Sequence, residues 1–248
     1  NWNGYDVSGI VGSTVDHGGF GFLMNTYDTM WPLVPMVRYD QRYANAIGKW
    51  MLNAANAARL FYPYEIPDNH QTIPEEKEHT KEVIAYEGLI KKAHYEQYEN
   101  IEAPVAIGDG MHWNKDNPKV SQFSVYGSGH VGIAGAIISK TNVDNILQLD
   151  LLATDFYKNK AYPSYLYYNP NPEDKEVTIA IGDQKLKIYD AIQRAFITKK
   201  ATGNFTFKIG KENSSLLVLV PQNAEISEKD GKLYANDFII DYRYTNTN

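Results

Sequence analysis

The sequence predicts an α+β protein, with an α-helical region over residues 1–160 followed by an antiparallel β-sandwich over residues 161–248. Three observations carry this expectation. Between Val37 and Pro63, Tyr43, Ile47, Trp50, Ala54, Ala57 and Phe61 recur at three- and four-residue steps, the spacing of one helical face. After Ala161 the pattern changes to short runs rich in β-branched and aromatic residues, as where Phe205, Phe207 and Ile209 alternate with Thr206 and Lys208. Gly182-Asp183 and Asp230-Gly231 then read as hairpin turns between such runs.

The helix from Val37 to Pro63 is the centre of the first region. Ala44, Met51, Ala55 and Ala58 widen its apolar stripe, so burial on more than one side is expected. Pro35 lies just before it and Pro63 ends it. Arg38, Asp40 and Arg42 open it, and an acidic residue near a helix start is favoured by the helix dipole. Upstream, the apolar stretch Phe22 to Met36 is broken by Trp31-Pro32 and Pro35 into short pieces. Downstream, Glu75 to Asn100 reads as mostly helical, weakened at Gly88, and Ala103 to Asn117 reads as a loop. Ser128 is a candidate N-cap for a short apolar helix, His130 to Ser139, and the apolar segment Val143 to Phe156 completes the region. In the second region, strands are expected at Tyr165–Tyr168, Val177–Ile181, Leu186–Tyr189, Phe205–Ile209, Leu216–Val220 and Phe238–Tyr242.

Bulk properties remove several function classes. Lys plus Arg number 24 against 30 Asp plus Glu, a net charge of -6 with no basic stripe, which argues against nucleic acid as the partner. The absence of Cys excludes disulfides, cysteine metal sites and a cysteine nucleophile, and it fits many bacterial exported proteins. The longest apolar stretch, Val131 to Ile138, is too short to span a bilayer. The chain starts at Asn1 without a visible signal peptide and reads as a mature or trimmed segment. No P-loop or dinucleotide fingerprint occurs, and Ser128 in YGSGH lacks the GxSxG pattern of a nucleophile elbow. Aromatic residues are frequent, with 19 Tyr, 4 Trp and 9 Phe, and such rings stack on the apolar faces of sugars.

The ending LLVLVPQNAEISEKDGKLYANDFIIDYR resembles the C-terminal sandwich that closes many multidomain carbohydrate-active enzymes. Together with the Ala-rich helix, it makes the chain resemble the C-terminal part of an (α/α)-toroid glycoside hydrolase or polysaccharide lyase. About 160 residues precede the sandwich, whereas six average helical hairpins need roughly 200, so the resemblance implies a partial toroid. It also implies a carbohydrate partner and a secreted, periplasmic or cell-surface location.

Glycoside hydrolysis requires two carboxyl groups flanking the scissile bond. Glu87, between Tyr86 and Gly88, and Asp109, between Gly108 and Gly110, form the first candidate pair. The apolar neighbours Tyr86, Leu89 and Ile90 would keep Glu87 protonated, which suits the acid, and the glycine N–H groups around Asp109 suit a base or nucleophile. Glu87 reads equally as a solvated helix carboxylate, and Asp109 as an ordinary turn residue. Sugar is expected against Trp31, Tyr86, His112 and Trp113, with Trp113 as a platform and His112 bonding a hydroxyl. No cofactor is required. Asp109, Asn114 and Asp116 offer oxygen ligands for Ca²⁺, without the Glu that closes an EF-hand loop. A transition-metal site is not indicated, since the six His residues are scattered and no HExxH occurs. The competing expectations are a non-catalytic glycan-binding protein and a surface structural module.

Overall fold

Residues 12–13, 20–57, 61–62, 88–90, 105–107, 132–156, 158 and 160–245 are described by a computed structural model. The chain divides into two units, one of Asn1–Met30 and Trp50–Ala134, the other of Trp31–Lys49 and Gly135–Asn248. Among the described residues antiparallel sheet predominates and helices are few. This is consistent with the α+β class and with a β-sandwich.

In the first unit, β1 (Gly12–Ser13), β2 (Phe20–Phe22), β3 (Gly88–Ile90) and β4 (Val105–Ile107) form an antiparallel sheet in chain order. Two expectations change here. Gly88–Ile90 lie in a strand rather than inside a helix, paired with Phe22 and Gly21 on one side and with β4 on the other. Val105–Ile107, expected in a loop, form that neighbouring strand. A helix cannot run through residues whose backbone groups are committed to a ladder.

The helical segments also differ from expectation. Leu23–Tyr39 form one helix, α1, with both Pro32 and Pro35 inside it. The break falls later, where Asp40 caps a 3-10 turn over Gln41–Tyr43 by accepting from the Arg42 amide at 3.2 Å. Helix α2 then covers Ala44–Ala57. Its buried residues include Ala44, Ile47, Trp50, Met51, Ala54 and Ala55 of the widened stripe, with Leu52 beside them, whereas Tyr43 is exposed and Phe61 lies past the end of the helix, so neither joins it. No helix among the described residues is long and apolar enough to cross a membrane.

The second unit is built on six antiparallel strands. Residues 132–137 form a short helix that leads into β5 (Ile138–Lys140). β6 (Leu147–Asp150), β7 (Ser164–Asn169), β8 (Lys175–Asp190), β9 (Ala195–Ile209) and β10 (Asn213–Pro221) follow. They lie side by side in the order β5-β6-β7-β10-β8-β9. All six expected strand segments are found in strands, though Tyr242 lies just past the last, and the sheet begins earlier, at Ile138. β10 is central and buried from Ser214 to Val220, which is why it reads as an unbroken apolar run. Ile146, Tyr167, Val177, Ile179, Leu186, Ile188, Phe207 and Leu217 are part of one buried cluster. Each such aliphatic side chain contributes about 1.5–3 kcal/mol relative to exposure.

Gly182-Asp183 is not a hairpin turn. β8 runs on through it to Asp190, and the positive φ of Gly182 (66°) faces that of Gly203 (69°) across the ladder. A bulge and a primed turn both demand φ > 0, so the sequence signal is shared. The bulge changes which parity of residue faces inward: Val177 and Ile179 before it, Leu186 and Ile188 after it. Asp230-Gly231 is a turn as expected. It joins β11 (Ile226–Lys229) to β12 (Lys232–Ala235) with φ of 51° and 70°. β13 (Phe238–Asp241) completes this three-stranded sheet.

The start of α2 approaches β7 closely at Gly48. A Cβ built there would overlap the Tyr168 Cβ. Gly48→Ala gains roughly 1 kcal/mol of helix propensity but must push two backbones apart, at about 1–3 kcal/mol. The expected outcome is a lower thermal midpoint. A midpoint raised by the ordinary Gly-to-Ala gain would show that the approach is not tight.

Candidate functional site

Pro35 has no N–H, so the carbonyl of Trp31, four residues earlier, loses its helical partner. The Thr154 hydroxyl supplies one, donating to the Trp31 oxygen at 3.0 Å. This contact ties the turn after β6 to α1. The turn is itself well braced. The Asp150 carboxylate accepts from the Leu152 amide at 2.8 Å, and the Lys158 ammonium donates to the carbonyls of Leu152 and Asp155, each at 3.1 Å. Asp155 and Phe156 are thereby held beside the helix.

Between α1 and this turn lies a cleft of about 460 Å³, lined by Trp31, Pro32, Pro35, Met36, Tyr39, Thr154, Asp155 and Phe156. Its aromatic edge is open to solvent, with Trp31 44% and Phe156 72% exposed. Its polar element is mostly buried. Asp155 is 5% exposed and forms an ion pair with Arg38, which is 6% exposed. Tyr39 also donates its hydroxyl to Asp155 Oδ2, at 2.8 Å. The guanidinium lies 5.4 Å from the Tyr39 ring centroid and 6.0 Å from that of Tyr242, and the two rings meet at 4.6 Å. Burial, followed by the hydrogen bond to Asp155, pushes the Tyr39 phenol up to about 12, so it remains a proton donor across the physiological range.

The helix end is anchored on its far side. Gln41 donates to Asp241 Oδ1 at 3.1 Å, Tyr189 donates to Asp241 Oδ2 at 2.9 Å, and Arg243 reaches Asp40 at 3.3 Å. The Arg42 side chain holds the Asp40 carboxyl below its ordinary range. These contacts fix the direction of the residues that present Tyr39 and Arg38. A second cleft, about 530 Å³, runs along β9 and is lined by Gln193, Ile197, Phe205, Thr206, Phe207, Lys208 and Gly210. It contains neither a carboxylate nor an indole.

Of the residues expected to hold substrate, Trp31 lines the first cleft. Tyr86, Glu87, Asp109, His112 and Trp113 lie outside the described residues, as do Asn114 and Asp116. Among the described residues no group of His, Asp or Glu side chains could hold a metal ion. The sequence reading missed Asp155, Phe156 and Tyr39, and saw Arg38 only as a residue at a helix start. The available signal was an acidic-aromatic pair, Asp155-Phe156, closing an apolar segment. Its partner, however, is 117 residues upstream. No protein-family model, no curated protein and no solved structure matches the chain.

Proposed function

We propose that this chain is a secreted bacterial carbohydrate-active protein, a glycoside hydrolase or a fragment of one, with an incomplete (α/α)-toroid-like helical region ahead of its sandwich. The observation that supports a glycan ligand is the exposed Trp31 indole on a cleft whose opposite side carries Phe156 and a carboxylate. An indole offers a flat apolar face to a sugar ring, and a carboxylate accepts its hydroxyls. In this reading hydrolysis falls to Glu87 and Asp109, with Tyr86, His112 and Trp113 completing the substrate contacts. One observation favours a second reading, a glycan-binding protein without catalysis. Asp155 is the one carboxylate among the cleft's lining residues, and it is tied to Arg38 and Tyr39 rather than poised opposite a second acid.

A glycan array followed by titration with the best ligand tests the assignment. Trp31→Ala should weaken binding about tenfold or more, the usual effect of truncating an anchoring aromatic, with an unchanged thermal midpoint. Equal affinity in the variant would move the site elsewhere. Release of reducing ends by the wild type separates the hydrolase from the binder.

A further inference from the structure

We infer that the cleft at Trp31 selects neutral sugars and rejects acidic ones such as uronates, an inference that rests on the carbohydrate reading given above. The argument is one of charge. Among the described residues, those lining the cleft include no Lys, Arg or His. Arg38 lies behind Asp155, almost wholly buried, with its guanidinium committed to that carboxylate and to the faces of Tyr39 and Tyr242. Lys158 is not among the described lining residues and donates to the Leu152 and Asp155 carbonyls. A sugar carboxylate would lose its water, gain no cation among the described lining residues, and approach the Asp155 carboxylate.

For a neutral ring the same surroundings are complementary. Arg38 and Tyr39 both donate to Asp155 Oδ2, and among the described residues Oδ1 accepts no hydrogen bond. That oxygen can accept a hydrogen bond from a sugar hydroxyl. Thr154, whose hydrogen goes to the Trp31 carbonyl, also has lone pairs to accept a second hydroxyl. Trp31, Phe156 and the proline rings cover the apolar faces. Discrimination thus comes from a missing cation as much as from the contacts made.

The test uses matched ligands: oligogalacturonate and oligoguluronate, each against its carboxyl-reduced form of the same linkage and length, titrated calorimetrically into the full chain at 0.15 M salt. Carboxyl reduction should raise affinity at least tenfold, and Trp31→Ala should remove binding of the neutral form. An acidic ligand that binds as tightly as its neutral form, and still depends on Trp31, overturns the selectivity but leaves the carbohydrate reading standing. Neutral-sugar binding that survives Trp31→Ala overturns the inference by placing the site elsewhere. Failure of the wild type to bind any member of the panel, or any glycan on an array, overturns both.

Discussion

Arg38→Ala should lower folding stability by about 3–5 kcal/mol, the usual result of removing one partner from a buried ion pair. The cause is not the attraction lost but the charge left behind. Asp155 is 5% exposed, and without the guanidinium its remaining side-chain donor among the described residues is the Tyr39 hydroxyl. Arg38→Lys should recover little, because an ammonium reproduces neither the reach to Asp155 nor the flat contact with Tyr39 and Tyr242. The double variant Arg38→Met/Asp155→Leu should recover most of the loss, since it removes both charges and keeps the volume. Urea unfolding measures this, with the midpoint falling at constant slope. A loss below about 1 kcal/mol in Arg38→Ala would mark the pair as solvated and weak.

Asp190→Ala is the second large effect, at about 3 kcal/mol or more. Asp190 closes β8 and is fully buried. Its Oδ1 accepts from the Ile192 and Gln193 amides at 2.8 and 3.2 Å, while Oδ2 accepts from Gln193 Nε2 at 3.2 Å and from the Ser215 hydroxyl. Alanine leaves these donors without their acceptor at the turn that starts β9. Asparagine keeps one carbonyl oxygen and should cost much less. The pair of variants also carries a pH signature. Burial raises the Asp190 carboxyl above its ordinary value, against the opposing pull of its hydrogen bonds. The folded state therefore holds that proton more tightly than the unfolded chain. Stability linked to it is present below the ordinary carboxylate range and is lost as pH rises through the raised value. Chemical denaturation at a series of pH values should show this decline in the wild type and not in Asp190→Asn. An identical profile in both would exclude Asp190 as its source.

What the sequence made legible follows from the range of the forces involved. The strands at Val177–Ile181 and Phe205–Ile209 are visible because period-2 alternation is local and every side chain reports its own face. The Asp230-Gly231 turn is visible because left-handed backbone needs particular residues at one site. Gly182 was legible as a positive-φ position but not as a bulge, since that depends on Gly203 opposite. The prolines of α1 misled in the same way. Their local cost is real, but the hydroxyl that relieves one of them comes from Thr154, far along the chain. The cleft was legible only in Trp31. Arg38 and Asp155 acquire their meaning by pairing across more than 100 residues, and no pattern within a helix or a strand encodes that.

The proline in α1 has a further consequence, for registry. The interior of an ordinary helix offers a neighbour no backbone group to recognise, since each carbonyl is occupied by the amide one turn on. A neighbour can then slide or roll along it by small steps at little penalty. Pro32 and Pro35 open the carbonyls of Asp28 and Trp31, about one turn apart, and the second of these gives the helix an address that a neighbour can read. Thr154 reads that address, and a displacement of one residue along the axis would find no vacant oxygen. The rotation of α1 about its own axis is thereby keyed to the turn carrying Asp155 and Phe156, and the indole of Trp31 is aimed by the same carbonyl that its own residue contributes.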